Sequence, residues 1–239
     1  MIYIADISKL NTADLEKQVC DERIKYSSKY RKEIDRRRSL AVEALLNHAL
    51  ISEGYEGSIP VSVCHMDNQR PFFPEDIIIP GYGKVYFSLS HAGDYVAVAI
   101  SDKPIGIDIE EIADKENNSS IAKRFYTDGE RQMIKNCPEG ECEAFFRIWT
   151  LKEAFIKAVG VGLSLGIDTF GVETINNRQD ISGIIVKTDL TDSDNITDEH
   201  LTGCLNGVYS YSRKYEGNAY EGYGYNVMAG YAVSVCVSV

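Results

Sequence analysis

The chain has 239 residues, 44% of them hydrophobic and 26% charged, which is the ordinary balance of a folded, water-soluble protein able to build a sizeable core. Its formal net charge of −11 excludes the global positive field that draws proteins to nucleic acid or to anionic membranes. Any anionic ligand must therefore be held by local cations, which the sequence offers at Arg31 to Arg38 and around Lys152 and Lys157.

Met1 to Ile7 reads as a first strand, and Leu15 to Gly54 as mainly helix, with Leu40, Ala44, Leu45, Ala49 and Ile51 recurring at helical spacing. Pro60 to Pro80, with four prolines, reads as a loop that links rather than packs. Lys84 to Ser90 alternates, placing Val85, Phe87 and Leu89 on one side; Tyr95 to Ser101 and Ile105 to Glu110 follow as strands. A helix resumes near Glu130, and a long one spans about Cys142 to Val159, closed by Gly160 and Gly162. Thr169 to Ile175 and Gly183 to Lys187 are strand-like, Asp189 to Glu199 reads as an exposed acidic loop, and Tyr225 to Val237 alternates as a final strand. The tyrosines crowding the tail fit edge strands of a sheet better than a ligand-stacking platform.

A helix followed by closing strands occurs twice, Glu43-Ala44-Leu45-Leu46 echoing Glu153-Ala154-Phe155-Ile156. This predicts an α+β protein of two similar halves, residues 1–103 and 104–239. No apolar run reaches about 18 residues and the start lacks the pattern of a signal peptide, so the expectation is a cytoplasmic protein with no membrane partner. In that compartment the six cysteines, scattered and without a C-x-x-C pair, are expected to be reduced and buried.

The clearest chemistry lies in Ile105-Gly106-Ile107-Asp108-Ile109-Glu110. In a strand, residues i and i+2 share a face, so the isoleucines turn to the core while Asp108 and Glu110 project together. Two carboxylates on one patch suit a hard divalent cation, magnesium foremost and manganese as the alternative; an isolated D-x-E is equally an acidic strand end. On the long helix, Ile148, Leu151, Phe155 and Ala158 form a buried stripe, and Trp149, Glu153 and Lys157 lie one turn apart on an adjoining face. They read either as an i,i+4 ion pair beside a core aromatic or as the rest of a magnesium–diphosphate site, with Glu153 on the metal and Lys152 and Lys157 on phosphate oxygens.

These segments resemble the Sfp-type 4′-phosphopantetheinyl transferases, whose G-[IV]-D-[IVL]-E and W-[ST]-x-K-E-[AS]-x-x-K motifs stand here as Gly106 to Glu110 and Trp149 to Lys157. Phe87-Ser88-Leu89-Ser90-His91-Ala92-Gly93 is similar to a third motif, with Ala92 as a departure, and Gln69-Arg70-Pro71 to a fourth that lacks its first glycine. The likeness extends over about residues 20 to 170. It implies two similar α+β subdomains about a pseudo-twofold axis, with the active site between them, in a monomer. It further implies transfer of the 4′-phosphopantetheine arm of coenzyme A to a serine of an acyl or peptidyl carrier protein of fatty acid, polyketide or nonribosomal peptide synthesis.

By the same resemblance, Asp108, Glu110 and Glu153 hold magnesium at the coenzyme A diphosphate, and Lys152 and Lys157 grip the diphosphate itself. Ser90 and His91 meet the 3′-phosphate with Arg70 beside it, Arg38 or Ser39 lies near the nucleotide, Glu153 acts as base directly or through a water, and Lys157 serves the leaving group. Two rivals use parts of the same set: another magnesium-dependent phosphoryl transferase, which needs neither Ser90-His91 nor Arg70, and a non-catalytic module that binds coenzyme A or a carrier.

Overall fold

The structure is a computed structural model that describes residues 1–64, 70–114, 117–175, 184–187, 199–201 and 205–239. Its contacts divide the chain into two compact units: Met1–Met66 with Pro71–Asp102 and Ser182–Thr202, and Asp67–Arg70 with Lys103–Ile181 and Gly203–Val239. Both mix helix and sheet, in keeping with the α+β expectation.

The first unit runs β1 (Ile2–Asp6), α1 (Thr12–Glu16), α2 (Asp21–Ser27), α3 (Glu33–Ser52), β2 (Ile78–Ile79), β3 (Gly83–Lys84), β4 (Tyr86–Ala92) and β5 (Tyr95–Ser101). The second continues with β6 (Ile105–Glu111), α4 (Asn118–Phe125), α5 (Asp128–Lys135), α6 (Glu141–Val159) and β7 (Val172–Ile175). The chain then returns to the first unit for β8 (Ile184–Lys187) and β9 (Glu199–Leu201), and closes the second with β10 (Leu205–Tyr211), β11 (Tyr220–Tyr225) and β12 (Tyr231–Ser238). This return, with β8 pairing parallel to β1, is a crossover that one cut after residue 103 does not contain.

In the first unit the sheet order is β4-β5-β1-β8-β9, and α3 packs on it. Leu40, Ala44, Leu45 and Ala49 are buried as their spacing predicts, whereas Ile51, in the last turn of α3, is 54% exposed. The proline-rich stretch does more than link: Val61 and Ile79 are both in the core. Of the expected loop at residues 189–199, residues 189–198 lie outside the described residues and Glu199 begins β9.

In the second unit an antiparallel sheet has the order β6-β12-β11-β10-β7. Most of the tail tyrosines are core residues and not an edge: Tyr209, Tyr211, Tyr220, Tyr223 and Tyr225 are buried on β10 and β11, the interior strands. Their rings supply large apolar area, and Tyr211 stacks on Phe155 of α6 at 4.5 Å between centroids. The predicted final strand is two, Tyr225 ending β11 and β12 starting at Tyr231 after a turn that uses Gly230 at φ 79°. Among the described cysteines only Cys236 is buried; Cys20, Cys64, Cys137 and Cys142 are half-buried, and all five are free thiols. No described helix is long and apolar enough to cross a membrane.

Candidate active site

Helix α6 carries Glu141 and Glu143 in its first turn and Lys157 in its last, with Gly160 closing it in the left-handed region at φ 83°. It lies on the face of β6 that carries the even-numbered residues. Gly106 makes the approach feasible, because a β-carbon there would fall 1.9 Å from the Ala154 carbonyl oxygen. Ile105, Ile107 and Ile109 are buried on the other face, as alternation predicts. The carboxylate face is therefore not open to solvent: α6 covers it, and Asp108 is only 5% exposed.

Three further contacts set the rotation and height of α6. The Thr150 and Ser234 hydroxyls are 2.7 Å apart, and Ser234 sits opposite Asp108 in the β12–β6 ladder. The Tyr211 hydroxyl donates to the Leu151 carbonyl oxygen at 2.9 Å. Lys152, fully buried, donates through Nζ to Glu130 Oε1 at 2.9 Å, Phe170 O at 2.6 Å and Ile167 O at 3.0 Å. Glu130, equally buried, also accepts from the Val172 amide at 2.9 Å, and its other oxygen completes a capping box with Thr127.

With α6 so held, Lys157 Nζ reaches Asp108 Oδ1 at 2.7 Å and the Ile107 carbonyl oxygen at 3.0 Å. Glu153, half-buried one turn earlier, has its carboxyl pushed up to about 6, first by burial and then by the negative charges of Asp108 and Glu110, with Lys157 opposing. The strand pair and the helix pair named from the sequence thus share one electrostatic patch.

Lys152 corrects the sequence reading. Its three ammonium protons are matched by three internal acceptors, and it stands over the Phe170 ring at 4.6 Å, so it braces the helix and does not face a diphosphate. Burial pushes this ammonium down while Glu130 works the other way. Ser39 is corrected too: it is buried, and its hydroxyl oxygen accepts from Arg23 beside the buried Arg23–Glu43 pair at 2.6 Å. Arg38, in contrast, donates from Nε to the Gly93 carbonyl oxygen at 2.8 Å, which brings it to the turn following Ser90 and His91 on β4. There His91 is exposed and Ser90 mostly buried. Arg70 belongs to the second unit, where it donates to the Ala158 carbonyl oxygen at 3.3 Å and packs on Gly160, capping the end of α6.

Glu130, Ser234 and Tyr211 are the residues that sequence reasoning missed. The Thr127-x-x-Glu130 spacing signals a capping box, but nothing local announces that the same carboxylate receives Lys152.

Residues 104–204 match the family described as the 4′-phosphopantetheinyl transferase superfamily. The chain is 38% identical over 156 residues to 4′-phosphopantetheinyl transferase psf-1 of Bacillus pumilus, covering 65% of this chain and 61% of that one. It is 37% identical over 102 residues to 4′-phosphopantetheinyl transferase Sfp of Bacillus subtilis (strain 168), covering 42% and 45% respectively. Against 4′-phosphopantetheinyl transferase gsp of Aneurinibacillus migulanus the identity is 32% over 146 residues, 58% and 55% of the two chains. The chain therefore matches between about half and three-fifths of the length of these curated relatives.

Proposed function

We propose that this chain, a relative of the 4′-phosphopantetheinyl transferases, moves the phosphopantetheine arm of coenzyme A to a serine of an acyl or peptidyl carrier protein and releases adenosine 3′,5′-bisphosphate. The observation that carries the reading is the meeting of Asp108 and Glu110 on β6 with Glu153 and Lys157 on α6, inside the segment that matches the superfamily.

A divalent cation fits this patch by its chemistry. The donors are hard carboxylate oxygens, and the Glu153 carboxyl, raised first by burial, is raised further by the negative charges of Asp108 and Glu110. Among the described residues no group of three His, Cys, Asp or Glu side chains is placed to hold a metal ion by itself, so phosphate oxygens of the substrate would have to complete the shell. Magnesium commonly takes one or two carboxylates together with phosphate oxygens and water. Asp108, Glu110 and Glu153 are the residues that would hold it, and when bound it supplies neutralisation of diphosphate charge.

The carrier serine oxygen attacks the β-phosphorus of coenzyme A, and the bond from that phosphorus to the oxygen bridging to the α-phosphorus breaks. The electron pair leaves with adenosine 3′,5′-bisphosphate. Glu153 takes the serine proton. Lys157 stabilises the charge that grows on the leaving phosphate. Arg38, Ser90 and His91 are assigned to the nucleotide, supported by their common turn in the first unit. A cytoplasmic monomer belongs to the same reading.

Mass spectrometry of an apo carrier protein incubated with coenzyme A, with and without magnesium, tests it. The expected result is a carrier heavier by one phosphopantetheine only when magnesium is present, abolished by Asp108→Ala and by Glu153→Ala. A carrier of unchanged mass in every condition would instead favour a binding module or a different phosphoryl transferase.

A further inference from the structure

Lys157 does more in this structure than wait for a phosphate. Its ammonium stands on Asp108 Oδ1 at 2.7 Å and on the Ile107 carbonyl oxygen at 3.0 Å, so it occupies the very carboxylate assigned to the cation. The Asp108 side chain is 7% exposed and that of Lys157 28%, which leaves the ammonium as the accessible member of the pair. A divalent ion arriving alone must either displace that ammonium or share Asp108 with it, and sharing leaves two like charges side by side in a partly dehydrated patch. A diphosphate alters the balance, because its oxygens can take the ammonium in charge-assisted hydrogen bonds, and lysine's flexible four-carbon stem lets the head group swing across.

We infer that Lys157 is a specificity residue: it keeps a free divalent cation off Asp108 and yields that carboxylate only when a diphosphate arrives to receive the ammonium. The inference rests on the metal–diphosphate reading above and adds to it a rule of joint binding, in which nucleotide and cation each bind weakly alone and strongly together. Linkage then requires coenzyme A to raise the cation's affinity by the same factor as the cation raises that of coenzyme A, about 5- to 150-fold for couplings of ordinary size.

The test is manganese(II) binding to the full chain, followed by the electron paramagnetic resonance signal of the free ion, with and without coenzyme A and with no carrier protein present. Lys157→Met is expected to bind manganese(II) alone about tenfold more tightly than the unmodified chain, a difference well within the reach of one buried charge pair. The same variant loses most of the enhancement by coenzyme A. Lys157→Gln, run in parallel, gives the same gain and keeps the result independent of a folding defect in either variant. Manganese(II) affinity unchanged or weakened in both variants, with the enhancement intact, overturns the inference while leaving the metal site standing. If the unmodified chain binds no manganese(II) even with coenzyme A, or if Asp108→Asn binds it equally well, the metal reading itself fails.

Discussion

Gly106 lies directly beneath Ala154: a β-carbon on the glycine would meet the Ala154 carbonyl oxygen at 1.9 Å and the Ala158 amide nitrogen at 2.6 Å. The obstacle is helix backbone, which cannot swing aside as the end of a side chain can. The missing methyl thus sets how closely Glu153 and Lys157 approach Asp108 and Glu110.

Gly106→Ala should therefore lift α6 from β6. Overpacking of this kind costs about 1–3 kcal/mol, visible as a lower urea midpoint. On the proposed function, the transfer rate should suffer more than stability, since a displacement of about 1 Å at a catalytic group can cost about 100-fold. A variant that melts early but keeps full turnover per folded molecule would refute this.

Lys152→Ala should behave as a structural variant. It strands the Glu130 carboxylate in a fully buried place, and breaking such a pair costs about 3–5 kcal/mol. The double variant Glu130→Gln with Lys152→Met should recover part of that loss in denaturant titration, because neither residue is then charged and unmatched. A lysine that gripped the diphosphate would instead raise the KM for coenzyme A and leave the urea midpoint in place.

The raised carboxyl of Glu153 makes stability depend on pH in the direction opposite to a salt-bridged carboxylate. Its folded value of about 6 lies above the ordinary 4.5, so between these limits the folded state holds more proton than the unfolded one. Unfolding free energy should fall as pH rises through that window, by at most about 2 kcal/mol, and level off above it. Urea titrations in a chelator at pH 5 and pH 7.5 measure the difference, and Glu153→Gln should abolish it. A difference that persists in that variant would belong to other groups.

On the proposed assignment to the nucleotide, His91→Ala should weaken coenzyme A binding with little effect on turnover. The ring is exposed beside the turn that Arg38 holds through the Gly93 carbonyl, and losing one charge-assisted contact corresponds to about a tenfold rise in KM. Steady-state kinetics at fixed carrier concentration give the answer, and an unchanged KM removes His91 from the nucleotide site.

The amino-acid pattern alone determined the strand with its alternate carboxylates, the long helix with Glu153 and Lys157 one turn apart, and the pairing of motifs that resembles a known family, because residue spacing within one element is governed by local geometry. Which of the helix's two lysines is buried was not legible there. Lys152 and Lys157 are both lysines of α6, and only the distant Glu130, Ile167 and Phe170 draw one inward while Asp108 draws the other to the carboxylates. The same holds for Ser39, claimed by Arg23, and for the return of β8 to pair with β1. Burial and charge pairing are decided by partners far away in the chain, and a sequence read in windows carries no record of them.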